Sequence, residues 1–123
     1  MDLPSDLIFS QAFIDGLWTD SATGATYPVT NPATGDIIAS VPDMGRVETA
    51  RAIDAAEKAR PAWAALTAKA RAAIVRAWFD LVMAYQEDLA NIVTLECGKP
   101  LSEARGEVAY GASFIEWFGE EAK

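Results

Sequence analysis

Cys97 is the only thiol in this 123-residue sequence. A thiol becomes a nucleophile when a base or a helix N-terminus holds it as the thiolate. The sequence supplies no such base. It contains no histidine, which removes the commonest general base, the commonest metal ligand and every Ser-His or Cys-His pair. Cys97 lies in Glu96-Cys97-Gly98-Lys99-Pro100, where a helical run must stop. Its expected role is that of a small buried apolar residue at a helix end. Gly98-Lys99 shares two residues with a phosphate-binding loop. That loop needs a glycine five positions earlier and a hydroxyl after the lysine, and Val93 and Pro100 stand there instead.

The carboxylate pairs Glu87-Asp88 and Glu120-Glu121 fall among polar residues and read as solvated surface. No His/Cys/Asp/Glu group has metal-ligand spacing. Gly106 and Gly111 lie inside a helical stretch, follow no strand and are spaced wrongly for a dinucleotide fingerprint. Close approach of another backbone or a ligand explains them better. Gly106, Tyr110 and Phe114 stand at i, i+4 and i+8, so one helix face carries a gap with two rings beyond it. Core packing and a cavity wall are both uses of such a face.

The elements that must hold these residues follow from turn chemistry and periodicity. Asp15-Gly16, flanked by Phe13-Ile14 and Leu17-Trp18, predicts a hairpin with a type I′ turn. Tyr27–Thr30 and Asp36–Val41 predict strands around the turn Asn31-Pro32-Ala33-Thr34-Gly35. Residues 1–45 therefore read as an antiparallel meander. Residues 46–123 read as three helices. The first runs from Arg46 to Ala59, capped by Asp43 and ended by Pro61. Thr67 caps the second, whose stripe Ile74, Trp78, Leu81, Val82, Tyr85 and Leu89 should face the core before Gly98 and Pro100 stop it. The third starts near Ser102 and runs towards Lys123.

Composition bounds the partners. Hydrophobic residues make up 51% and charged residues 23%, as in ordinary globular chains. Lys and Arg number 10 against 18 Asp and Glu, a net charge of −8. An acidic chain repels phosphate backbones and anionic lipid, so neither nucleic acid nor a membrane surface is an expected partner. No apolar run approaches the roughly 20 residues that span a bilayer. Met1–Asp6 lacks the basic start of a signal peptide, and one cysteine makes no internal disulfide, so the cytoplasm is the expected compartment. Tyr110, Phe114, Trp117 and Phe118 span a wide arc of the last helix, and Trp78-Phe79 adds to it. A chain of this size cannot bury all of these rings. It is expected either to pair with something or to be a piece of a longer protein.

Val29-Thr30-Asn31-Pro32-Ala33-Thr34-Gly35 followed by Ile37-Ile38 resembles the N-terminal strand-turn segment of the aldehyde dehydrogenase superfamily. Arg71–Glu96 closed by Gly98-Lys99-Pro100 is similar to that family's long helix and its Glu-x-Gly-Lys-Pro signature, and the Phe13–Trp18 hairpin is similar too. Ser113-Phe114-Ile115-Glu116-Trp117-Phe118 with Glu120-Glu121-Ala122-Lys123 resembles the succinate-semialdehyde dehydrogenase branch. The order and spacing of these motifs cover nearly the whole chain.

The resemblance implies an α/β fold, the N-terminal portion of the family's cofactor-binding domain over residues 1–123. A β-meander (1–45) precedes three helices (46–123), and the Rossmann-like sheet is absent. It implies oxidation of an aldehyde, succinate semialdehyde in this branch, with NAD or NADP as hydride acceptor, by a homo-oligomer. It also implies that the chemistry lies elsewhere. The Gly-Gln-x-Cys loop, the general-base glutamate, the oxyanion asparagine and the Gly-rich cofactor turn find no match here, and Cys97 does not match the nucleophile. No catalytic or cofactor-binding residue is therefore expected in this chain, nor a cofactor bound to it alone. Two roles carry over. Gly106, Tyr110 and Phe114 match positions lining the substrate tunnel. Val29 or Thr30, through a carbonyl, and Glu96, through its carboxylate, match a structural monovalent-cation site. The expected alternatives are another semialdehyde substrate, such as glutarate semialdehyde, and a non-catalytic helical association module. A fragment is expected to self-associate through its exposed aromatic faces.

Overall fold

The computed structural model describes residues 7–123; Met1–Asp6, read above for targeting, lies outside the described residues. The order is β1 (Ala12–Ile14), β2 (Leu17–Thr19), β3 (Thr26–Thr30), β4 (Ile37–Pro42), α1 (Arg46–Ala65), α2 (Ala68–Ala84), α3 (Gln86–Cys97) and α4 (Leu101–Glu121). β1 pairs antiparallel with β2 through Ala12↔Thr19 and Ile14↔Leu17. Between them Asp15 (φ 53°) and Gly16 (φ 78°) both occupy the left-handed region that a type I′ turn requires. Asp tolerates that region because its short side chain bonds locally, and Gly because it has no Cβ. β3 pairs antiparallel with β4 across an irregularity between Val29 and Thr30. The Asn31 side chain closes the intervening turn by accepting the Ala33 N–H at 2.9 Å.

The expected meander is instead two separate two-stranded sheets, β1-β2 and β3-β4. The reason lies between β2 and β3. Ser21 Oγ donates to the Ala25 carbonyl at 2.9 Å and the Gly24 N–H to the Ser21 carbonyl at 3.0 Å. The turn delivers Ala25 to the β3–β4 pair, whose ladder its carbonyl extends by also accepting the Asp43 N–H at 2.8 Å.

The same turn is tied to α1. The Glu48 carboxylate accepts the Ala22 N–H at 2.7 Å and the Gly45 N–H at 2.9 Å. Glu48 thereby reaches back over the first turn of α1, and Gly45, not Asp43, is the N-cap. Its carboxyl is held below the ordinary 4.5, first by the Ala22 N–H and then by the backbone N–H groups of Glu48 and Gly45, while burial acts in the opposite direction. A carboxyl depressed in the native state stabilises the fold fully above the unfolded value of 4.5. That contribution is lost as pH falls through the native value. Glu48→Gln should therefore lower the thermal midpoint by several degrees at about pH 7 and by progressively less towards about pH 3. Melting curves at fixed protein concentration across that range read the difference, and a deficit independent of pH contradicts it.

There are four helices rather than three. Pro61 does not end α1, which continues to Ala65. A proline inside a helix removes one backbone donor, and the alanine-rich flanks Ala59, Ala62, Ala64 and Ala65 carry the helix past it. α1 ends where Leu66 turns extended, and Thr67 caps α2 by accepting the Ala70 N–H at 3.2 Å. The long second helix breaks at Tyr85 (φ −101°, ψ 17°), which ends α2 and opens α3.

α2 and α3 both pack on α4, and the buried positions are small: Ala72, Ala90, Ala104, Ala112 and Gly119. A Cβ on Gly119 would stand 3.2 Å from Val75 Cγ1, so the α2–α4 backbones meet closely there. No large side chain among the described residues is fully buried. Most of the expected stripe is accordingly not core: Ile74, Trp78, Leu81 and Tyr85 are exposed, Val82 and Leu89 are half-buried, and it is Val75 that meets Gly119 of α4. Trp117 and Phe118 are exposed as expected, but Phe79 is half-buried beneath the Arg76 guanidinium, 4.7 Å from its ring centre.

Candidate functional site

α4 carries the residues expected to line the tunnel, and the structure sets them in one row on its open side. A Cβ at Gly106 would meet no atom within 4 Å. One turn on, Tyr110 is 67% exposed and meets Phe114 edge to face, ring centres 4.9 Å apart. Core packing among the described residues is thus not the use of this face, which is open to the outside. Ser113 Oγ donates to the Tyr110 carbonyl at 2.7 Å, and a shallow apolar groove continues past Phe114 to Trp117 and Phe118.

Ionic ties hold α4 against its neighbours. Arg105 grips Glu87 with both arms, Nε to Oε2 at 2.8 Å and Nη2 to Oε1 at 2.6 Å. Gln86 Nε2 donates to the Arg105 carbonyl at 3.1 Å. The Arg105 hydrogen bonds hold the Glu87 carboxyl below its usual range. Lys99 pairs with Glu107, which raises the ammonium's pKa. Arg76 binds Asp80 on its own helix and Glu116 on α4, each at 3.1 Å. None of the cross-helix pairs was foreseen. Their partners lie 18 and 40 residues apart for Arg105–Glu87 and Arg76–Glu116, and only the crossing of the helices brings them together.

Cys97 is the last residue of α3 and is exposed, contrary to the expected burial. α3 turns Ala90 inward and delivers its final residues to the surface. Among the described residues no group of three His, Cys, Asp or Glu side chains could hold a metal ion. Of the residues matched to a cation site, Val29 is half-buried on β3, Thr30 ends that strand, and Glu96 is exposed near the end of α3. The turn after Thr30 does reach α3, since a Cβ on Gly98 would stand 3.1 Å from Pro32 Cγ. Carbonyl and carboxylate oxygens are donors that suit a hard cation.

The model of the aldehyde dehydrogenase family matches residues 18–123. A glutarate-semialdehyde dehydrogenase of Pseudomonas aeruginosa is 62% identical over 95% of this chain and 24% of its own length. The NADP(+) succinate-semialdehyde dehydrogenase of Escherichia coli is 60% identical over 97% of this chain and 25% of its own length. The crystal structure of an E. coli NADP-dependent enzyme superposes on 98% of this chain and 25% of its own, with a TM-score of 0.95 and 59% identity. The chain thus spans about a quarter of the length of the curated relatives it matches. With agreement running through β3, β4 and every helix, in sequence and in backbone alike, the chain belongs to the aldehyde dehydrogenase family.

Proposed function

We propose that this chain serves as the N-terminal part of an NAD(P)-dependent semialdehyde dehydrogenase, a homo-oligomer that oxidises succinate semialdehyde to succinate. The observation that carries the reading is the high identity along nearly its whole length to enzymes named for four- and five-carbon semialdehydes. The open aromatic faces of α2 and α4 support it, because such faces call for a covering layer that the described residues lack. In this reading Gly106, Tyr110 and Phe114 border the aldehyde's path, with Tyr110 and Phe114 offering apolar walls to its methylene chain. The Val29 or Thr30 carbonyl and Glu96 contribute to a structural monovalent-cation site. The reactive thiol, the base and the dinucleotide site lie outside these residues; when bound, the dinucleotide supplies the hydride acceptor.

A second reading, glutarate semialdehyde as substrate, is favoured by the identity to the Pseudomonas enzyme. Both are tested by a hybrid in which this chain replaces the matching first part of the E. coli succinate-semialdehyde dehydrogenase. The hybrid should fold and oxidise succinate semialdehyde with kcat/KM within about tenfold of the unaltered enzyme. A folded but inactive hybrid would overturn the proposal. A preference shifted towards glutarate semialdehyde, relative to the unaltered enzyme, would replace the first substrate with the second.

A further inference from the structure

Two ties reach α4 on either side of Gly106, and they come from opposite ends of α3. Before it, Arg105 holds Glu87, near the start of α3, through two parallel bonds of 2.8 and 2.6 Å, and its carbonyl accepts Gln86 Nε2 at 3.1 Å. After it, Glu107 pairs with Lys99, two residues past the end of α3. Between the two ties, Gly106 has open space where a side chain would be, and glycine is the point at which a helix bends most readily. An exposed ion pair contributes little to stability in water. The two-armed grip of a guanidinium on a carboxylate, however, fixes direction as well as distance. Tyr110 and Phe114 stand one and two turns beyond Gly106, so a rotation or bend of α4 at this point would displace both rings.

We infer that Arg105 is a positioning residue: with Glu87 and Gln86 it sets the orientation of the Gly106–Tyr110–Phe114 face, and through that face the fit of the aldehyde. This rests on the reading that the face borders the aldehyde's path. The test uses the hybrid enzyme. Arg105→Ala should raise KM for succinate semialdehyde about tenfold, while kcat and KM for NADP stay within about twofold, the pattern of a lost contact shared by ground and transition states. Arg105→Lys should recover only part of this, because an ammonium cannot form the parallel pair of bonds. The exchange Glu87→Arg with Arg105→Glu should recover most of it. Glu87→Gln, which keeps the shape and removes the charge, is read in the same way if Arg105→Ala fails to fold. An unchanged aldehyde KM, or a joint fall in kcat and rise in both KM values, overturns the inference alone. An inactive unsubstituted hybrid overturns the proposed function and this inference with it.

Discussion

On its own, the chain is expected to elute from a sizing column as dimers and larger species at micromolar concentration and to bind a hydrophobic dye. Replacing Trp78, Trp117 and Phe118 together by lysine should return it to a monomer with its helical circular dichroism intact. The three rings are 58%, 63% and 61% exposed, on helices whose buried positions are Ala72, Ala104, Ala112 and Gly119 instead. Replacing them therefore leaves the small buried residues of α2 and α4 in place. Covering one such half-exposed ring stabilises an assembly by about 1–2 kcal/mol. Three of them on neighbouring helices are enough to drive association of a small chain. Lysine is the informative replacement because it moves the net charge from −8 towards zero. Any gain in solubility then comes from losing apolar surface and not from added repulsion. A dye-free monomer with its native residues would instead favour a self-contained association module and would weaken the proposed function.

What the sequence disclosed and what it concealed divide along a physical line. Features set by a few neighbouring residues were legible: the Asp15-Gly16 turn, the Asn31 turn, the Thr67 cap and the end of α3 at Gly98. Each depends on a φ preference or one side-chain bond that acts locally. Features set by the balance of competing local terms were missed. Pro61 costs α1 a single bond, and the sequence does not show that the flanking alanines outweigh it. The apolar stripe on α2 misled for a different reason. Periodicity says that a face will be covered but not by what, and here Ala72 is buried and Val75 meets α4 while Trp78 and Leu81 stay exposed. The true seam was camouflaged, because alanine inside a helix reads as propensity before it reads as contact. For the site, the row Gly106–Tyr110–Phe114 was legible from helical spacing. The grip of Arg105 on Glu87 was not, since nothing short of the helix crossing pairs those charges among ten bases and 18 acids.

Gly98 joins these two kinds of information, and substituting it should produce the largest stability loss of any single change near the β3–β4 turn. Its backbone sits at φ 71°, closing α3 with an N–H donated to the Thr94 carbonyl at 2.9 Å. A side chain in that region costs roughly 1–2 kcal/mol for alanine and most other residues with a Cβ. The new Cβ would also stand 3.1 Å from Pro32 Cγ, closer than ordinary packing allows. Moving the turn or the helix end to relieve that contact adds about 1 kcal/mol or more. Gly98→Ala should therefore cost about 2–3 kcal/mol, read as a fall in the urea midpoint of the lysine-substituted monomer. The two causes separate in a double-mutant cycle with Pro32→Ala, which deletes the crowded Cγ and leaves the backbone angle of Gly98 untouched. Against Pro32→Ala, Gly98→Ala should cost only the roughly 1–2 kcal/mol of left-handed strain. Equal costs in both backgrounds would mean that Pro32 does not press on the end of α3. The turn after Thr30 and the residues following Glu96 would then no longer be held together, and the cation site proposed from Val29, Thr30 and Glu96 would lose its structural basis.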